Sequence, residues 1–233
     1  RTVALTSLAL TAFAANSLLC RLALSVPSID AASFSLIRLV SGALVLWVTM
    51  LLTNKNVVDV SLTRIGGNWL SALMLFVYMV AFSFAYIHLS AGVGALILFG
   101  AVQATMLLAS IIFGERPSPM EWLGLLLAIA GLIYLVSPGL ASPPIFSAII
   151  MLIAGMAWGL YSLLGHHVTE PLAITTGNFI RATPLAIIAF LLSYQNMHIS
   201  ATGMLLAIAS GAIASGLGYA VWYAALRELT TTR

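Results

Sequence analysis

The chain has 233 residues, 62% of them hydrophobic and 6% charged, and a mean hydropathy of +1.12. A soluble globular domain carries about 25% charged residues, so this sequence cannot cover itself with a water-facing surface, and lipid is its solvent. The formal net charge is +3, from nine Lys and Arg against six Asp and Glu, but the cations stand singly along the chain, which excludes a nucleic-acid surface.

A bilayer core about 30 Å thick is crossed by roughly 20 apolar helical residues. Eight runs meet that requirement, at about 3–24, 31–53, 68–87, 91–113, 120–136, 145–165, 172–194 and 203–226. The first, too long for a signal-peptide core, is read as a span. Cys20 lies within it as the chain's one cysteine. That rules out an intrachain disulfide and a cysteine-based metal site, and no cofactor is expected. The breaks carry turn residues, among them Ser28-Ile29-Asp30, Gly114-Glu115-Arg116-Pro117 and Glu170-Pro171, and every connection is too short for a soluble domain.

With alternating spans, Arg1, Lys55, Arg64, Arg116, Arg227 and Arg233 all fall on one side, whereas the loops after spans 3, 5 and 7 contain no Lys or Arg. The positive-inside rule then places the N-terminus in the cytoplasm, and the expected location is a bacterial inner membrane.

The sequence also repeats itself. Phe13 to Leu19 and Phe34 to Arg38 in spans 1 and 2 correspond to Met156 to Tyr161 and Gly177 to Arg181 in spans 6 and 7, each pair placing one arginine after an isoleucine inside its second helix. The ends of spans 3 and 8 correspond as well. A repeat of five spans, an odd number, enters the membrane upside down in its second copy, the architecture of secondary transporters that bind substrate near the midplane. The expected fold is an all-α polytopic helical bundle of inverted five-helix repeats, with residues 1–140 as the first (spans 1–5) and 141–233 as the second (spans 6–8). Two further helices would complete a ten-span protein, so this chain is expected to hold eight of ten.

Several motifs resemble one family. Phe113-Gly114-Glu115-Arg116-Pro117, Glu121-Trp122-Leu123-Gly124 and Ala130-Gly131-Leu132 are similar to the hairpin between helices 4 and 5 of EamA-type members of the drug/metabolite transporter superfamily. Phe34–Arg38, Asn178–Arg181 and Tyr219–Leu229 extend the resemblance over nearly the whole chain. It implies a ten-helix exporter of amino acids or other small amphipathic metabolites, with a central cavity lined by helices 1, 3, 4, 6, 8 and 9. The chain departs from the family pattern in lacking helices 9 and 10 and in placing Gln103 where many relatives carry proline.

Ionisable groups at membrane depth mark function by default. Arg38 and Arg181 qualify: they either bind a substrate carboxylate or gate opposite faces, or they satisfy helix-end carbonyls of their neighbours. No carboxylate is expected at depth, since Asp30, Asp59, Glu115, Glu121, Glu170 and Glu228 fall at helix ends or in loops. His88, His166 and His167 lie at the ends of spans and His198 in a loop. This distribution points to uniport or exchange rather than proton coupling. Uncharged candidates for substrate binding are Asn16, Tyr78, Gln103, Trp158 and Trp222, amides and aromatics suited to an amphipathic solute; helix packing is the competing role for each. The motifs of metalloproteases, serine hydrolases and channel filters are missing, so an enzyme or a channel stands as the alternative to a transporter. Expected partners are a small-molecule substrate and membrane lipid, with a homodimer left open.

Overall fold

The computed structural model describes residues 2–26, 28–53, 66–114, 118–136, 143–165, 170–219 and 221. Within them the chain forms α1 (Thr2–Ser25), α2 (Ala31–Thr53), α3 (Trp69–Tyr86), α4 (Ala91–Ile112), α5 (Pro119–Val136), α6 (Ile145–Leu164), α7 (Pro171–Leu192) and α8 (Ala201–Ala209). α8 continues as a π-helical segment, Ser210–Leu217, where a plain α-helix was expected. Among the described residues there is no strand, only an isolated antiparallel bridge between Ile29 and Ile199.

Helix starts are fixed locally. The Asp30 carboxylate accepts from Ser33 N at 2.9 Å ahead of α2, Asn68 Oδ1 from Ser71 N at 2.8 Å, and Ser200 Oγ from Gly203 N at 3.1 Å. Each satisfies a backbone donor that the first helical turn leaves open. Pro171 opens α7, where its missing N–H costs nothing. Pro184 lies inside the same helix, a position that neighbouring helices make tolerable in a membrane.

Five helices, α2, α3, α4, α6 and α7, are long and apolar enough to cross a bilayer. The distribution of side chains is that of a lipid-solvated protein. Leu52, Ile112, Phe146 and Leu192 are among the most exposed apolar side chains, whereas Ser35, Arg38, Ser83, Thr176, Asn178 and Ser210 are buried. The protein is thus an all-α polytopic membrane protein.

Two ridges of small residues set the closest helix approaches. A Cβ on Gly155 of α6 would meet the Leu98 carbonyl oxygen of α4 at 2.7 Å, and one on Gly159 would meet Thr105 at 2.9 Å. This Gly-x-x-x-Gly face lets α6 lie against the α4 backbone. On the other side, a Cβ on Gly211 would collide with Ser41 Oγ and the Arg38 carbonyl oxygen, so the π-helical segment crosses α2 at backbone distance.

The packing pairs α3 with α6 and α7, α2 with α7, and α1 and α2 with α8 and its π-helical continuation. The loops pair too. At one end of α2, Asp30 N donates to His198 O at 2.9 Å and Ser200 N to Ser28 O at 2.7 Å, joining the α1–α2 and α7–α8 connections. At the other end, Asn68 N donates to Asn178 Oδ1 at 3.0 Å, joining the α2–α3 connection to the start of α7. Gly67, held at φ +92° against Asn178, makes the turn there. Six helices lie between the first pair of connections and four between the second, even numbers that fit crossings in alternation.

Candidate functional site

The helices converge on a continuous set of aromatic rings. Trp158 of α6 stacks on Tyr78 of α3 with centroids 5.4 Å apart and planes 19° from parallel. Phe13 of α1 meets the Trp158 ring edge-on at 5.6 Å and Phe99 of α4 meets it tilted at 5.6 Å. From Phe13 the set extends to Tyr219, and from Tyr219 to Phe179 of α7. From Tyr78 it extends in the other direction through Phe82 to Tyr86. Contributions thus come from both predicted halves of the chain. Edge-on and offset contacts of this kind add to the burial of apolar area and hold ring orientations.

One polar group meets this wall directly, and a second is tied to the π-helical segment beside it. Arg38 of α2 is 1% exposed, and its guanidinium carbon lies 5.4 Å from the Tyr78 ring centre and 5.0 Å from that of Phe82. Its Nη2 donates to Tyr78 OH and its Nε to Ser215 Oγ, both at 3.2 Å. Asn16 of α1 is buried, and its Oδ1 accepts from Ser210 Oγ at 2.6 Å. Ser210 and Ser215 both belong to the π-helical segment, so this one stretch of widened helix contacts both polar candidates. π-Helical turns recur at functional sites.

The sequence candidates therefore separate. Asn16, Tyr78, Trp158 and Arg38 come together around the centre of the bundle. Gln103 does not join them: it is exposed on α4, its amide nitrogen facing Gly124 of α5. Arg181 is half-buried midway along α7, where its Nη1 donates to Gly66 O at 2.6 Å and Gly177 O at 3.1 Å and ties the α2–α3 connection down. Trp222 lies outside the described residues, as do His166, His167 and the orientation signals Arg1, Lys55, Arg64, Arg116, Arg227 and Arg233. A small crevice is lined by Ser71, Tyr161, Ile174 and Asn178, and Tyr161 connects it to the ring set through an edge-on contact with Tyr219 at 6.3 Å.

Sequence reasoning passed over Ser210 and Ser215. Serine in an apolar span is common, and nothing in the local pattern announces a π-helical turn. Phe13 and Phe99 were hidden for a different reason: a single aromatic on its helix becomes part of a wall only when α1, α3, α4, α6, α7 and the α8 region are brought together.

The sequence matches the EamA-like transporter family over residues 1–137. An uncharacterized protein of Pseudomonas aeruginosa is 50% identical over 230 residues, covering 99% of this chain and 78% of its own length. The uncharacterized inner membrane transporter YedA of Escherichia coli K12 is 30% identical over 90 residues, 39% of this chain and 29% of the relative. An uncharacterized transporter of Archaeoglobus fulgidus is 26% identical over 183 residues, 72% of this chain and 62% of the relative. No solved structure matches the chain. With more than half of its residues in the family match and a near-complete alignment at 50% identity, this multi-pass membrane protein belongs to the EamA-like transporter family.

Proposed function

We propose that the protein exports small amphipathic metabolites, amino acids or compounds like them, across the cytoplasmic membrane by alternating access. The observation that carries this reading is the central ring set contributed by α1, α3, α4, α6, α7 and the α8 region, with Arg38 of α2 against it and Asn16 joined through the π-helical segment. An aromatic wall with a few placed polar groups suits a solute that has one apolar and one polar end.

The packing supports the division into inverted repeats, residues 1–140 and 141–233. Exchanging α1, α2 and α3 for α6, α7 and α8 turns the α3–α6 contact into α8–α1 and the α3–α7 contact into α8–α2, and leaves α2–α7 unchanged; each of these pairs is in contact. Such exchange symmetry is what alternating access uses, with one half rocking against the other around a fixed site. The cytoplasmic N-terminus rests on the Lys and Arg distribution, and the export direction on the resemblance to EamA-type exporters.

Counterflow in proteoliposomes tests the reading, with the protein at the full length its gene encodes and a panel of amino acids, amines, organic acids and nucleobases. Saturable exchange of a panel member is the expected result. A cooperatively folded protein that exchanges none of them, with no signal above empty vesicles, overturns it.

A further inference from the structure

We propose that Arg38 is the anion-binding group of the transport site, so that the transported solute is an amphipathic carboxylate. This rests on the transporter reading and narrows it from small metabolites in general to organic anions.

The guanidinium is under-compensated where it stands. It is 1% exposed, and its Nη1 has no acceptor among the described residues. The two bonds that it does make go to neutral hydroxyls at 3.2 Å, longer than the ~2.7–2.9 Å usual when a guanidinium meets a carboxylate. No carboxylate pairs with it among the described side chains: Asp30 is spent on the backbone N–H groups of Ser33 and His198. A buried cation left with hydroxyls alone is costly. A carboxylate presents two oxygens to the planar fork and supplies the missing acceptor.

The surroundings fit the rest of such a solute. Tyr78 and Phe82 hold the guanidinium from the ring side, and the Tyr78–Trp158–Phe13 stack leads away from it as an apolar wall. Ser215, which occupies Nε, is carried by the π-helical segment rather than by a regular helix. A carboxylate on Nη1 shares the outer fork with Nη2 and leaves Ser215 on Nε, so that hydroxyl positions the guanidinium from the element that crosses α2. Arg181 offers the contrast, since its Nη1 is shared between two backbone carbonyls. An anion leaving an inside-negative cell also runs down the membrane potential, about 50-fold at 100 mV. Export of this kind needs no coupling ion.

The test uses the full-length protein in proteoliposomes and three probes of matched shape: phenylacetate, phenylacetamide and phenethylamine. Phenylacetate should exchange saturably, its net uptake should carry charge, and it should raise the melting temperature of the detergent-solubilised wild type where the amide does not. Arg38→Gln should raise the phenylacetate KM at least tenfold, Arg38→Lys should restore part of the affinity, and Ser215→Ala should raise KM by less than Arg38→Gln does. The wild-type melting and voltage measurements need no variant to fold. Exchange of the amide or the amine but not phenylacetate, or an unchanged phenylacetate KM in folded Arg38→Gln, overturns the anion assignment and leaves the transporter reading standing. Exchange of no organic acid, amine or neutral solute by folded protein overturns both.

Discussion

Arg38 and Arg181 occupy matching places in the two halves of the sequence, each after an isoleucine inside a second helix, yet their surroundings give them different work. Arg181 is half-buried and spends its Nη1 on the carbonyls of Gly66 and Gly177, which makes it a fastener for the α2–α3 connection. Hydrogen bonds from a charged donor contribute about 1.5–3 kcal/mol when buried, and less where water reaches them. Arg181→Gln is therefore expected to destabilise the protein by about 1–2 kcal/mol, seen as a lower melting temperature in detergent, with solute KM unchanged. A shifted KM at unchanged stability would move Arg181 into the transport path. Trp158 has the reverse profile. It touches Phe13, Tyr78 and Phe99, so Trp158→Ala removes the middle of the wall and should weaken solute affinity by about tenfold, roughly 1.4 kcal/mol, while Trp158→Phe keeps most of it. Counterflow titration of the two variants distinguishes a wall residue from a packing residue, because the latter would lower stability and leave affinity alone.

At the scale of the element, glycine spacing decides which helices can touch. Gly211 lies where the π-helical segment crosses α2, with no room for a Cβ between it and the Arg38 backbone. Gly100 of α4 has nothing within 4 Å of the same position. Gly211→Ala should force the crossing apart and cost about 1–3 kcal/mol, the usual range for overpacking. Gly100→Ala should be neutral or stabilise α4 by up to about 1 kcal/mol. Thermal melting of the pair checks this, and equal melting temperatures would show that the crossing relaxes freely. The π-helical turn itself was not legible in the sequence. Eight apolar and small residues, Ser210–Leu217, read as ordinary span, and only the packing of Ser210 on Asn16 and Gly211 on Arg38 shows why the helix widens there.

At the scale of the whole molecule, the Asp30–His198 end is closed by backbone pairing between two connections 168 residues apart. If the halves rock about α2 and α7, this end must part during the cycle. The chain offers a clean background for testing that, because its one cysteine, Cys20, is buried. Ile29→Cys with Ile199→Cys should cross-link readily, since bridge partners lie within disulfide reach. The cross-link should arrest counterflow, and reduction should restore it. Full transport by the cross-linked protein would show that the two connections stay together throughout.

Composition and periodicity determined the solvent, the helix positions to within a few residues and the alternation of crossings, because a helix in lipid must be apolar along its length and satisfy its own backbone. The repeat in the sequence suggested two halves without saying which helices would touch. What the sequence left open was the use of each polar side chain. Asn16, Tyr78, Trp158 and Arg38 meet, whereas Gln103 turns toward Gly124 of α5 and Arg181 toward a connecting loop. A polar residue at depth looks the same in a hydropathy pattern whichever way it faces. Only the packing angles of five helices decide which of these side chains share a centre, and those angles are set by contacts between residues far apart in the chain.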